Sequence, residues 1–215
     1  MRPDTKEALR YFSLHNHGTS FEILPGSGSV LFSAPHAVLQ TRNGQIKSAE
    51  RYTGLLCRLL NHRHGFPCIY KSRHLNDDAN HDARSPYREA LCTYAQEHRI
   101  RYVLDLHQLA PHRPIALFIG TGHGQNLNGA LHLPLLARRA FEEASLLPIT
   151  TDDPFAALRE YTVSATAAAH GLAALQLEIN TRLLMETTPD ERFEDVLSAL
   201  CHLAQSLNEQ EDVTA

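Results

Sequence analysis

Short, mostly apolar runs punctuate this chain at 30–34, 68–70, 102–106, 115–119 and 172–179. Each is too short for a helix and lacks polar alternation, so each reads as a strand buried on both faces. Helical periodicity fills the intervals. Tyr52, Leu55, Leu56, Leu59 and Leu60 recur every three or four positions, predicting an amphipathic helix over roughly 48–63 with Ser48 as its cap. Tyr87, Leu91, Tyr94 and Ala95 mark a second helix, and 131–146 (interrupted near Pro134) and 155–169 read as two more. A last helix carries Phe193, Val196, Leu197, Leu200, Ala204 and Leu207 on one face. The runs at 21–24 and 30–34 flank Pro25-Gly26-Ser27-Gly28-Ser29, predicting a hairpin-like opening. Arg42-Asn43-Gly44 and the strongly polar 76–82 segment read as loops.

Strands that alternate with helices predict an α/β fold. The expected form is a three-layer sandwich with a mixed, mostly parallel central sheet and helices on both faces. No repeat or linker divides the chain, so residues 1–215 read as one domain. Residues 1–18 are polar and irregular and read as a flexible arm, with His15 and His17 exposed on it.

Composition narrows the function. The chain is 43% hydrophobic, enough for a packed core, and its net charge is −4. With a pI of about 6.4 it has no global basic field, which excludes nucleic acid as the main partner. Cys57, Cys68, Cys92 and Cys201 form no CxxC pair and are expected as reduced, buried thiols. The N-terminus has no secretory apolar core, and Gly, His, Asn and Pro break the uncharged 114–137 stretch. A soluble cytoplasmic protein without a membrane partner is the expectation.

Three apolar runs end in residues with chemistry. The run at 30–34 leads to His36, 102–106 to His107, and 172–177 to Glu178. Open α/β sheets bind ligands at the carboxyl ends of their strands, so these three are expected to converge. Two imidazoles and a carboxylate suit zinc, with a position left for water. Glu50, the first acid after His36, opens a helix and is the candidate third ligand. Glu178 is then free as a general base, and Asp105 is placed to orient His107 by hydrogen bonding. A carboxylate closing an apolar strand is costly to bury unless it is paired or functional. An amide substrate bearing a carboxylate needs a cationic clamp; Arg84, Arg88, Arg113 and Arg182 are candidates, with Asn80 as a hydrogen-bond partner. Gly120-Thr121-Gly122-His123-Gly124 lacks a Lys-Ser/Thr ending and reads as a loop, and no Gly-x-Ser-x-Gly motif is present.

Pro35-His36-Ala37, Lys47-Ser48-Ala49-Glu50, Asp105-Leu106-His107 and Gln176-Leu177-Glu178-Ile179-Asn180 resemble the N-formylglutamate amidohydrolase-like proteins. These are similar to the wider zinc carboxypeptidase and aspartoacylase group. The resemblance spans about residues 30–185, with Asp78-Ala79-Asn80 matching an Asp-x-Asn segment. It implies a three-layer α/β fold and one catalytic zinc on His36, Glu50 and His107, with Glu178 as the base. The chain departs from the carboxypeptidases in the long gap between His36 and Glu50. It departs from the formylglutamate enzymes in having Gln108 after the second His. The expected function is zinc-dependent hydrolysis of a small N-acyl amino acid or related amide. A carboxypeptidase-like peptidase, an esterase and a non-catalytic binding protein on the same scaffold are the alternatives.

Overall fold

The computed structural model describes residues 6, 9–12, 18–153, 156–158, 160–185 and 191–212. In chain order the strands are β1 (Phe21–Leu24), β2 (Val30–Ala34), β3 (Gln40–Arg42), β4 (Gln45–Lys47), β5 (Cys68–Lys71), β6 (Tyr102–Leu109), β7 (Leu117–Gly120), β8 (Ile149–Thr151) and β9 (Ala173–Asn180). The helices are α1 (Arg51–His64), α2 (Pro86–Glu97), α3 (Leu133–Glu143), α4 (Val163–Ala169), α5 (Thr181–Leu184) and α6 (Phe193–Asp212).

A seven-stranded sheet in the order β1-β5-β2-β6-β9-β7-β8 forms the middle layer. β5, β2, β6 and β9 run parallel at its centre, β1 pairs antiparallel with β5, and β7 antiparallel with β9. Helices α1, α3 and α6 cover one face through Leu55, Leu56, Phe141, Val196 and Leu200, packed on Phe32, Leu104, Leu106, Leu175 and Leu177. Helices α2 and α4 cover part of the other through Tyr87, Leu91, Val163 and Ala167, packed on Leu31, Ile69, Val103 and Ala174. The predicted three-layer mixed α/β architecture is therefore present.

Three local expectations need correction. β1 and β2 do not form a hairpin, because β5 lies between them. The Pro25–Ser29 turn residues instead pass the α1–β5 connection: Ser27 N donates to Gly65 O at 2.9 Å, and a Cβ on Gly26 would meet Gly65 O at 2.3 Å. The helix expected over 155–169 begins only at Val163, where the Thr162 hydroxyl accepts from Ala165 N as its cap. Helix α1 starts after Glu50 rather than Ser48.

Within the segment expected to be a loose arm, residues 9–12 are helical. Phe12 is buried, edge-on to Tyr70. His15 and His17 lie outside the described residues. No helix among the described residues is long and apolar enough to cross a membrane.

Candidate metal centre

The site lies at the carboxyl ends of the four central parallel strands, as the sheet rule requires. His36 follows β2, Asp78 and Asn80 lie beyond β5, and His107 and Glu178 lie two residues before the ends of β6 and β9. His107 and Glu178 are register partners, so their side chains leave the sheet side by side on the same face. Glu50 arrives from the opposite direction, at the start of α1, where its backbone N–H donates to His36 O at 2.8 Å.

Glu50 joins the two imidazoles. Its Oε1 lies 3.1 Å from His36 Nδ1 and its Oε2 lies 3.2 Å from His107 Nδ1. Gln108 N donates to the same Oε2 at 3.0 Å, which fixes the carboxylate. At their far nitrogens both rings meet acids. His36 Nε2 donates to Asp78 Oδ1 at 2.9 Å and His107 Nε2 to Asp105 Oδ2 at 3.1 Å. A proton held at each Nε2 by a carboxylate leaves Nδ1 as the nitrogen open to a metal ion, an arrangement seen behind metal-ligating histidines. Ligand atoms of His36, Glu50 and His107 all lie within 4.8 Å of one another. Tetrahedral zinc with bonds of ~2.0–2.1 Å needs donors about 3.3 Å apart, which the two His–Glu50 separations of 3.1 and 3.2 Å match. The rings of His36 and His107 meet edge-on, with centroids 4.7 Å apart.

The supports extend outward. Asp105 accepts from Ser33 Oγ at 2.9 Å, and Ser33 Oγ lies 2.9 Å from the Tyr87 hydroxyl on α2. Asp78 Oδ2 is bound by Arg42 Nε at 2.8 Å. Asn80 is locked in place, its Oδ1 accepting from Val163 N at 2.6 Å while its Nδ2 sits 3.3 Å from His107 Nε2.

Charge balance follows from this geometry. Burial acts most strongly on His36 and lowers its pKa, but the charge of Glu50 and the bonds to Asp78 and Glu50 raise it overall. Burial likewise opposes protonation of His107, and Asp105 and Glu50 together lift it well above the ordinary histidine value. For Glu50 burial favours the neutral form, yet His36 and His107 bring its pKa down to about 2. Asp78 is desolvated too, but its bond to His36 and the charges of His36 and Arg42 hold it below the usual carboxylate range. Glu178 goes the other way: burial raises it, and His107 offsets this only in part.

His36, Glu50, His107, Glu178 and Asn80 line one cavity of about 710 Å³. The four arginines expected as substrate clamps are elsewhere. Arg88 donates to the carbonyls of Ala79, Asp82 and Ala83 at 2.5, 2.6 and 3.2 Å, bracing the loop that carries Asp78 and Asn80. Arg84 is exposed, Arg182 borders a separate cavity with Arg192 and Asp195, and Arg113 does not line the site cavity. Arg42 is instead the Arg or Lys lining it among the described residues, presented by the β3–β4 ribbon. The Asn43-Gly44 pair was the available signal, since both residues have positive φ (52° and 74°), as a two-residue hairpin turn demands. Gln176, His123 and Asp152 also line the cavity and were not anticipated as site residues.

No family model matches this chain, and no curated protein matches it significantly in sequence. Solved structures do resemble it. A bacteriophage poly-gamma-glutamate hydrolase superposes with a TM-score of 0.59 at 14% identity, covering 94% of this chain and 95% of that one. A protein named YNDL, in its zinc-free apo form, gives 0.56 at 17% identity, over 87% and 91% of the two chains. Succinylglutamate desuccinylase from Chromobacterium violaceum gives 0.50 at 15% identity, over 94% and 76%. At these identities what is shared is the fold.

Proposed function

We propose that the chain is a zinc-dependent amidohydrolase acting on a small N-acyl amino acid or a related carboxylate-bearing amide. One observation carries this reading: two imidazoles, each held at Nε2 by a carboxylate, turn Nδ1 toward Glu50 in a cavity that Glu178 also lines. His36, Glu50 and His107 would hold the zinc, leaving a coordination position for water or substrate. When bound, zinc supplies Lewis acidity, polarising a carbonyl and lowering a water's pKa to about 7.

The chain's own residues supply the rest. Glu178, which lines the cavity and whose pKa burial raises, is suited to accept and return a proton. It accepts a proton from the water whose oxygen bonds to the carbonyl carbon, then delivers that proton to the nitrogen as the C–N bond breaks. Arg42 commits Nε and one terminal nitrogen to Asp78, at 2.8 Å each. A guanidinium has five N–H donors, so others remain for a substrate carboxylate. The shared fold and the motif resemblance support this assignment.

Metal content and a substrate panel test it. Protein purified without added metal should hold about one zinc per chain, lost in His107→Ala. Formyl-, acetyl- and succinyl-amino acids should be hydrolysed in preference to the corresponding amides lacking the carboxylate. Arg42→Ala should erase that preference. Failure to take up zinc, or no hydrolysis by the zinc-loaded protein across the panel, overturns the reading.

A further inference from the structure

Gln176 precedes Glu178 by two residues on β9, so both side chains leave the sheet on the same face. It is 8% exposed and lines the site cavity. Its Nε2 donates to Glu178 Oε1 at 2.8 Å. Its Oε1 is buried and receives no hydrogen bond from any described residue.

The neighbouring strands explain the missing donor. On β6 the register partner is Asp105, a carboxylate that only accepts and is already engaged by Ser33 and His107. On β7 the partner is Gly120, which has no side chain to offer. The space there is closed: a Cβ on Gly120 would lie 3.0 Å from Ala157 Cβ and 3.4 Å from Gln176 Cβ. Turning the amide over would set its oxygen against the Glu178 carboxylate, acceptor against acceptor. An orphaned buried carbonyl is unfavourable, and an apolar side chain of equal length would avoid it. What glutamine adds at this position is the bond from Nε2 to Glu178.

We propose that Gln176 is the positioning residue of the general base, its amide N–H holding the Glu178 carboxylate in the rotamer that serves the His36–Glu50–His107 cluster. This rests on the amidohydrolase reading of that cluster. Among the described residues Gln176 makes the hydrogen bond to Glu178, engaging Oε1 and leaving Oε2 to carry the proton. A glutamate with its other torsions unrestrained would sample several staggered rotamers, and misplacement of a catalytic group by about 1 Å costs on the order of 10²-fold in rate.

Gln176→Met in the zinc-loaded protein tests this, since methionine keeps the length and removes both polar ends. The expected result is a kcat lower by roughly 10²-fold with KM and zinc content unchanged. The thermal midpoint should be unchanged or raised, because the orphaned carbonyl is gone. A purely structural glutamine gives the reverse, a lower midpoint with wild-type kcat, and that result overturns the proposal. The crystal structure of Gln176→Met supplies a readout independent of activity. Glu178 should leave its position or occupy several rotamers, and a Glu178 that stays in place also overturns the proposal. Absence of turnover in the wild-type protein would instead overturn the amidohydrolase reading, and the position of Glu178 in the variant would still decide the role of Gln176.

Discussion

The two faces of the central sheet are built from the same strands and differ in kind. One face is apolar through its centre: Phe32, Leu104, Leu106, Leu175, Leu177 and Ile179 are all fully buried beneath α1, α3 and α6, with Glu22 and Gln108 at its margins. The other begins apolar, with Leu31, Val103 and Ala174 under α2 and α4. It then turns polar toward the strand ends, with Ser33, Asp105, His107, Gln176 and Glu178. The first face stabilises the fold by removing hydrocarbon from water. The second gives up that gain at its carboxyl end and replaces it with hydrogen bonds that each satisfy a buried polar group. A strand of period two lets one segment do both, since changing every second residue alters a single face.

That division is open to test by substitution. The largest effect is expected at Glu178→Gln, which should keep zinc yet lower kcat by roughly 10²–10⁴-fold, as removal of a general base does. Zinc retention read by elemental analysis separates this from collapse of the site. Leu177→Ala, one residue away but on the apolar face, should do the opposite. It should cost about 2–5 kcal/mol in denaturant unfolding while zinc stoichiometry stays at the wild-type value. Loss of zinc there would break the distinction between the faces. Asp105→Asn keeps the shape of the side chain that orients His107 and should weaken zinc binding by roughly 10–100-fold in competition with a chelator.

The smallest effect is in pH dependence. In the metal-free protein the raised pKa values of His36 and His107 favour folding below the unfolded value of 6.5, and that contribution fades as pH rises through the folded values. The Glu50 contribution has the opposite sign: it is present above the unfolded value of 4.5 and is lost as pH falls toward about 2. The cluster therefore stabilises the apo fold most between pH 4.5 and 6.5. Zinc needs both imidazoles neutral, so its stabilisation should instead grow with pH. Thermal midpoints measured against pH with and without zinc should diverge above pH 6.5. Parallel curves would show that the histidines are not the ligands.

What could be read in advance follows the same physics. His36 and His107 were found because strand ends in an open α/β sheet converge, and Glu50 as the first acid after His36 at the start of a helix; the structure brings those three together. Pairing across the sheet was less legible. Nothing in residues 21–34 announces that β5, contributed from beyond α1, inserts between β1 and β2. The apolar runs also concealed the change of face. Leu104, Leu106, Leu175, Leu177 and Ile179 intervene among the polar residues of β6 and β9, so these strands look largely apolar although Asp105, His107, Gln176 and Glu178 all point to one side. Arginines were sought by closeness to the motifs in sequence, whereas the one that lines the cavity comes from a ribbon outside the main sheet.

That ribbon has a consequence for how such a protein changes. β4 is exposed along its whole length, and β3 and β4 pair only with each other. Exchange of the turn residues between Arg42 and Gln45 would leave every strand of the main sheet in register. Under the proposed function, selectivity for the charged end of a ligand would be set from a ribbon outside the main sheet, joined to the site through Arg42 and Asp78. Laboratory evolution aimed at the Asn43-Gly44 turn would test whether recognition can be redirected while His36, Glu50 and His107, and the helices behind them, stay as they are.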